Sequence, residues 1–76
     1  MNNLSQEDFK RKLGDQILHF RTKVGLTQEE LAFRIGKDKQ FINRYEVQGA
    51  NPTAYTLVVL CKALEISVSE FLNVKF

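Results

Sequence analysis

One cysteine, one proline, one histidine and no tryptophan leave this chain few of the residues from which common chemical sites are built. A single cysteine excludes an internal disulfide and a multi-thiolate zinc site. Cys61 lies inside the apolar run LVVLCKAL, where a buried and inert thiol is expected. The single histidine, His19, flanks Phe20 and reads as a surface or core-edge residue rather than a base. No P-loop, paired-carboxylate or nucleophile motif is visible, so neither an enzyme nor a cofactor is expected. No apolar stretch approaches the roughly 20 residues that span a bilayer. The segment MNNLSQEDFKRK lacks the apolar core of a signal peptide, and its Lys10, Arg11 and Lys12 are offset by acidic neighbours, which argues against a membrane-surface helix. A cytoplasmic protein with no membrane partner is the expectation.

What is present is helical. The 76 residues make one domain, 1–76, close to the lower size at which a single core suffices without staples. Apolar residues are 43% of the chain, ordinary for a globular protein. Strand alternation is nowhere sustained, whereas the helical period recurs throughout. The fold class expected is all-α and compact, with five helices. The first runs from about residue 5 to 24, with Phe9, Leu13, Ile17, Phe20 and Val24 on one face, Ser5 as cap and 1–12 as an N-terminal extension. Gly14 costs roughly 1 kcal/mol against alanine inside a helix and marks a point where this one begins or bends.

Gly25 closes the first helix, and Thr27-x-x-Glu30 forms a capping box for the second. Leu31, Ala32 and Ile35 supply its buried face, and Gly36 permits a left-handed stop. Asp38 caps the third helix, which continues to about residue 47. Pro52 and Thr53 introduce the fourth, with Leu57, Leu60, Cys61 and Leu64 inward. Ser67-x-x-Glu70 is a second capping box, opening a short fifth helix with Val68, Phe71 and Leu72.

Charge singles out the middle of the chain. The net charge is only +2. Residues 1–20 and 50–76 are each balanced, whereas 21–49 hold Arg21, Lys23, Arg34, Lys37, Lys39 and Arg44 against Glu29, Glu30, Asp38 and Glu46. The whole cationic excess lies there. On a helical wheel with Lys39 at 0°, Phe41, Ile42 and Tyr45 fall at about 200°, 300° and 240°, one apolar stripe. Gln40, Asn43 and Arg44 fall near 100°, 40° and 140°, on the opposite side with Val47 between them. Amide and guanidinium forks on one helix face match base edges in a major groove: Arg or Lys to guanine, Gln or Asn to adenine. An ordinary polar surface has the same composition. The tight glycine turn separates the two readings, because a short helix crossing behind a projecting one is helix-turn-helix geometry.

Here the segments GLTQEELAFRIG, FINRYE and NPTAYTLVVLCKALEISVSEFL resemble the phage-repressor helix-turn-helix family, also called Cro-like or XRE, over roughly residues 13–72. The resemblance implies a compact five-helix, lambda-repressor-like domain with its helix-turn-helix at about 27–46. It implies sequence-specific binding to double-stranded DNA as a small transcriptional regulator, usually a homodimer on palindromic operators, with a recognition helix at about 38–47 in the major groove. Lys39, Gln40 and Arg44 match base-reading positions, and Asn43 matches a neighbour that touches base or backbone. Gln28 matches a phosphate-contacting glutamine and Phe41 a groove-lining position, with Thr27, Lys37 and Asp38 beside them at the backbone or groove. Arg21 and Glu46 match a pair tying the first helix to the end of the third.

Two positions depart from the family pattern. The glycine expected two residues after Glu46 is replaced by Gln48, with Gly49 one later; either the third helix runs longer or Gln48 turns left-handed. The glycine expected between the fourth and fifth helices is Glu65. The tail SEFLNVKF carries more apolar surface than a small core readily covers, so Phe71, Leu72, Val74 and Phe76 are assigned to a dimer interface. No small-molecule effector is evident. The competing reading is a protein-interaction module on the same fold, an antitoxin or a partner-binding subunit, with the outward-facing Phe33 as its contact.

Overall fold

The computed structural model describes residues 4–76, so the first three residues of the 1–12 extension lie outside the described residues. Among those described, every regular element is helical. The order is α1 (Gln6–Lys23), α2 (Gln28–Arg34), α3 (Lys39–Asn43) running into a π turn (Arg44–Gln48), α4 (Ala54–Ala63) and α5 (Val68–Phe71).

Each helix starts where a side-chain oxygen takes an orphan backbone amide. Ser5, Thr27, Asp38, Thr53 and Ser67 accept from the amide three residues on, at 2.9–3.1 Å. At α2 the box is reciprocal, since Glu30 accepts from the Thr27 amide at 2.8 Å. That bond is also the main reason the Glu30 carboxyl is held below its ordinary pKa. Only the Ser67 half of the second expected box forms.

The helices stop by a shared device. After α1 the Gly25 amide donates to Thr22 O and the Leu26 amide to Arg21 O, with Gly25 at φ 79°. The same pair of bonds recurs at Gly36, φ 71°, between α2 and α3. It recurs a third time after α4, where the left-handed position is held by Glu65 at φ 61°. A side chain there costs roughly 1–2 kcal/mol relative to the right-handed region. Glu65 recovers part of this through Arg34, 3.2 Å away, but that pair is exposed and worth only about 0–1 kcal/mol. Glu65→Gly is therefore expected to raise unfolding free energy by about 0.5–1 kcal/mol in urea titration; a decrease would mean that the Arg34 contact outweighs the backbone strain.

One core joins all five helices: Leu13, Ile17 and Phe20 of α1, Leu31 and Ala32 of α2, Ile42 and Tyr45 of the third segment, Leu60, Cys61 and Leu64, and Phe71 of α5. Burying a large apolar side chain contributes about 1.5–3 kcal/mol, so the faces expected from periodicity are the ones that hold the fold. Burial also pushes the Cys61 thiol and the Tyr45 phenol above their ordinary pKa values, which leaves Cys61 a packing residue.

Three expectations need correction. Val24 caps the end of α1 and is exposed, because the helix stops one residue before the apolar face would reach it. Gly14 does not begin α1; the helix runs through it. At Gln48 the first of the two alternatives holds: the helix runs longer, to Gln48 as a π turn, and Gly49 takes the positive φ, 77°. Phe71 is not an interface residue. It is fully buried with its ring 6.1 Å from that of Phe20, and its carbonyl accepts from Gln16 at 2.7 Å. The tail beyond it folds back on α1: Lys12 donates to the Lys75 carbonyl at 2.6 Å and Phe76 stacks on Phe9 at 5.6 Å. Leu72 and Val74 stay half-buried and Phe76 exposed.

Candidate nucleic-acid interface

Two short helices meet across the Gly36 turn, and what locks them is a buried polar chain rather than apolar packing alone. Arg21 of α1 donates Nε to Glu46 Oε2 at 2.6 Å and its terminal nitrogen to Oε1 at 2.9 Å. Its remaining nitrogen donates to the Leu26 carbonyl at 2.7 Å. Glu46 Oε1 also accepts from the Gln28 amide at 2.9 Å, and Gln28 Oε1 accepts from Asn43 at 3.4 Å. The Glu46 side chain is 3% exposed and that of Arg21 12%. The chain Arg21–Glu46–Gln28–Asn43 thus ties α1, α2, α3 and the π turn into one rigid unit. No buried side-chain polar atom among the described residues is left without a partner.

This network redistributes the residues expected at the site. Lys39, Gln40 and Arg44 are exposed and form no side-chain hydrogen bond or ion pair among the described residues. Arg44 still has right-handed helical geometry (φ −59°, ψ −39°), so it sits one turn beyond Gln40 on the same face despite opening the π turn. Asn43 is half-buried with its amide turned to Gln28, which sets it apart from those three. Gln28 is likewise half-buried. Each of these amide nitrogens keeps a second hydrogen beyond the bond it makes internally.

Around this face the remaining residues do different work. Thr27 is exposed, and its oxygen already accepts from Glu30. Asp38 is the cap that fixes where α3 begins; a carboxylate offers a phosphate no attraction, so its part in the site is to aim the helix. Lys37 holds its ammonium 5.3 Å from the centre of the Phe41 ring. Phe41 is half-buried and meets the Tyr45 ring edge-on at 5.2 Å. The cations left pointing outward on this side are Lys37, Lys39 and Arg44.

Tyr55, in the first turn of α4, is a candidate contact residue that sequence reasoning did not single out. It is 79% exposed and shares a depression with Lys37 and Phe41. The signal was available: Tyr55 falls off the inward stripe of α4, and a large aromatic with a hydroxyl on a free face is a contact residue as readily as a packing one.

A family model described as helix-turn-helix matches residues 17–71. An uncharacterized HTH-type transcriptional regulator, y4dJ, of Sinorhizobium fredii is 35% identical over 66 residues, covering 87% of this chain and 86% of the relative. The restriction-modification controller protein C.AhdI from Aeromonas hydrophila superposes with a TM-score of 0.78 at 31% identity, over 84% of this chain and 97% of that one. C.Esp1396I, solved as a nucleoprotein complex, gives a TM-score of 0.76 at 32% identity, over 82% of this chain and 80% of that chain. Among the described residues no helix is long and apolar enough to cross a membrane. With the paired short helices, the glycine turn and the matched span in agreement, the chain belongs to the helix-turn-helix family.

Proposed function

We propose that this protein is a transcriptional regulator that binds duplex DNA sequence-specifically, as a cytoplasmic homodimer, with α3 and the start of the π turn in the major groove. The observation that carries the reading is the contrast within one helix. Asn43 and Glu46 are tied through Gln28 and Arg21 into one network, whereas Lys39, Gln40 and Arg44 are unpaired among the described residues. Unpaired forks on a rigid helix suit base edges: arginine and lysine pair with guanine, and glutamine with adenine. Gln28, Thr27 and Lys37 face the backbone in this reading, with Phe41 lining the groove and Asp38 aiming the helix; Asn43 positions Gln28 and lends its spare hydrogen. Leu72, Val74 and Phe76, without Phe71, form the dimer contact. Half-sites one helical turn apart require the two recognition helices to lie about 34 Å apart, the spacing a two-fold through the tails would have to give. Catalysis has no place in this account.

The experiment is a salt titration. With roughly four to six phosphates neutralised per dimer, log K against log salt is expected to fall with a slope of roughly −4 to −5. Fluorescence anisotropy on a labelled genomic duplex reads it directly. A salt-insensitive affinity, or no duplex binding at low salt, would overturn the proposal in favour of a protein-interaction module.

A further inference from the structure

Phe33 is 84% exposed, the most exposed large apolar side chain among the described residues. It lies five residues beyond Gln28 on α2, about 140° round the helix, so it does not share the face that meets the α3 network. Its ring separates two shallow depressions. One is shared with Leu26, Glu29 and Glu30, and the other with Val59, Lys62 and Ala63. The first flank holds Glu29 and Glu30 with Arg34 at its edge, a net negative charge. The second carries the cation of Lys62, while Arg34 and Glu65 nearby neutralise each other at 3.2 Å.

An apolar ridge between a hollow of one charge and a hollow of the other is complementary to itself. Under a two-fold rotation, Glu29 of one copy faces Lys62 of the next and each Phe33 enters the other's hollow, as a symmetric interface requires. We propose that this face of α2 and α4 docks a second copy of the chain. Phe33 and Lys62 are not among the residues assigned to the tail contact or the DNA-reading face, while Glu29 borders Thr27, Gln28 and Lys39. One buried aromatic covers about 150–250 Å², well short of the roughly 800 Å² per partner of a stable interface. The association is therefore weak in free solution. It gains force between copies held side by side on one duplex, where effective concentrations reach the order of mM.

The test needs no DNA, so it is independent of the function proposed above. Glu29→Cys and Lys62→Cys variants are treated with a short bis-maleimide at high protein concentration, each alone and mixed. Cys61 is buried with its thiol pKa raised, so it does not compete for the reagent. The expected result is several-fold more cross-linked dimer in the mixture than in either variant alone. Adding Phe33→Ala to both should bring the mixture down to the level of the single variants, with an unchanged melting profile. A mixture yielding no more than the average of its components overturns the proposal, as does a yield that Phe33→Ala leaves intact; a different protein would then be the occupant of this face.

Discussion

Glu46→Ala is expected to cost about 3–5 kcal/mol of unfolding free energy, the range for breaking a buried ion pair by removing one partner. The side chain removed is 3% exposed and accepts three hydrogen bonds, two from Arg21 and one from Gln28. Its loss leaves a guanidinium charge that is 12% exposed with only the Leu26 carbonyl as partner. Small domains hold about 0.05–0.15 kcal/mol per residue, so this is a large share of the total for 76 residues. Replacing both partners with apolar residues, Arg21→Met with Glu46→Leu, should recover most of the loss, because no charge is then stranded. Urea titration of the parent and the two variants decides the matter. A loss for Glu46→Ala below about 1 kcal/mol would place the pair with ordinary exposed ones.

Gly14→Ala carries the second large effect, and its sign opposes helix propensity. In an unobstructed helix interior alanine is favoured by about 1 kcal/mol. Here a Cβ on residue 14 would overlap the Tyr45 carbonyl oxygen and lie 3.3 Å from the Glu46 Cα. Both obstacles are backbone, so no rotamer change relieves them and α1 must move off the π turn. The expected cost is about 1–3 kcal/mol, the range for an overpacked core, and each kcal/mol lowers Tm by about 4–8 °C in a domain of this size. A melting temperature equal to or above that of the parent would show that α1 and the π turn separate freely.

Gly14 also marks the boundary of what the sequence could disclose. Caps were legible because Ser5, Thr27, Asp38, Thr53 and Ser67 act on amides three residues away. The apolar faces were legible for the same reason, being set by a local period. The reason for Gly14 was not, since it depends on residues 45 and 46 pressing on α1 from another element. Phe71 was misassigned on similar grounds: its position in an apolar tail resembles a surface patch, and only the Phe20 contact reveals it as core. Within the site, the wheel separated the outer Lys39, Gln40 and Arg44 from the apolar stripe. It could not show that Gln28 and Asn43 spend part of their hydrogen-bonding capacity on each other and on Glu46. The Arg21–Glu46 pair was anticipated through family resemblance, and the bidentate geometry bears it out.

The central claim is that the outer face of α3 reads bases while the residues around it hold the backbone. Its most direct test measures the parent, Gln40→Ala, Arg44→Ala and Lys37→Ala against a bound duplex and a panel of its single-base changes at fixed salt. Each good bidentate contact discriminates by roughly 1–3 kcal/mol. Gln40→Ala and Arg44→Ala should therefore each flatten the preference at one position of every half-site, leaving the other positions and non-specific affinity mostly intact. Lys37→Ala should weaken all sequences about equally, because a phosphate contact carries no base identity. Uniform weakening by Gln40→Ala and Arg44→Ala across the panel would contradict the claim and reduce this face to a grip on the backbone.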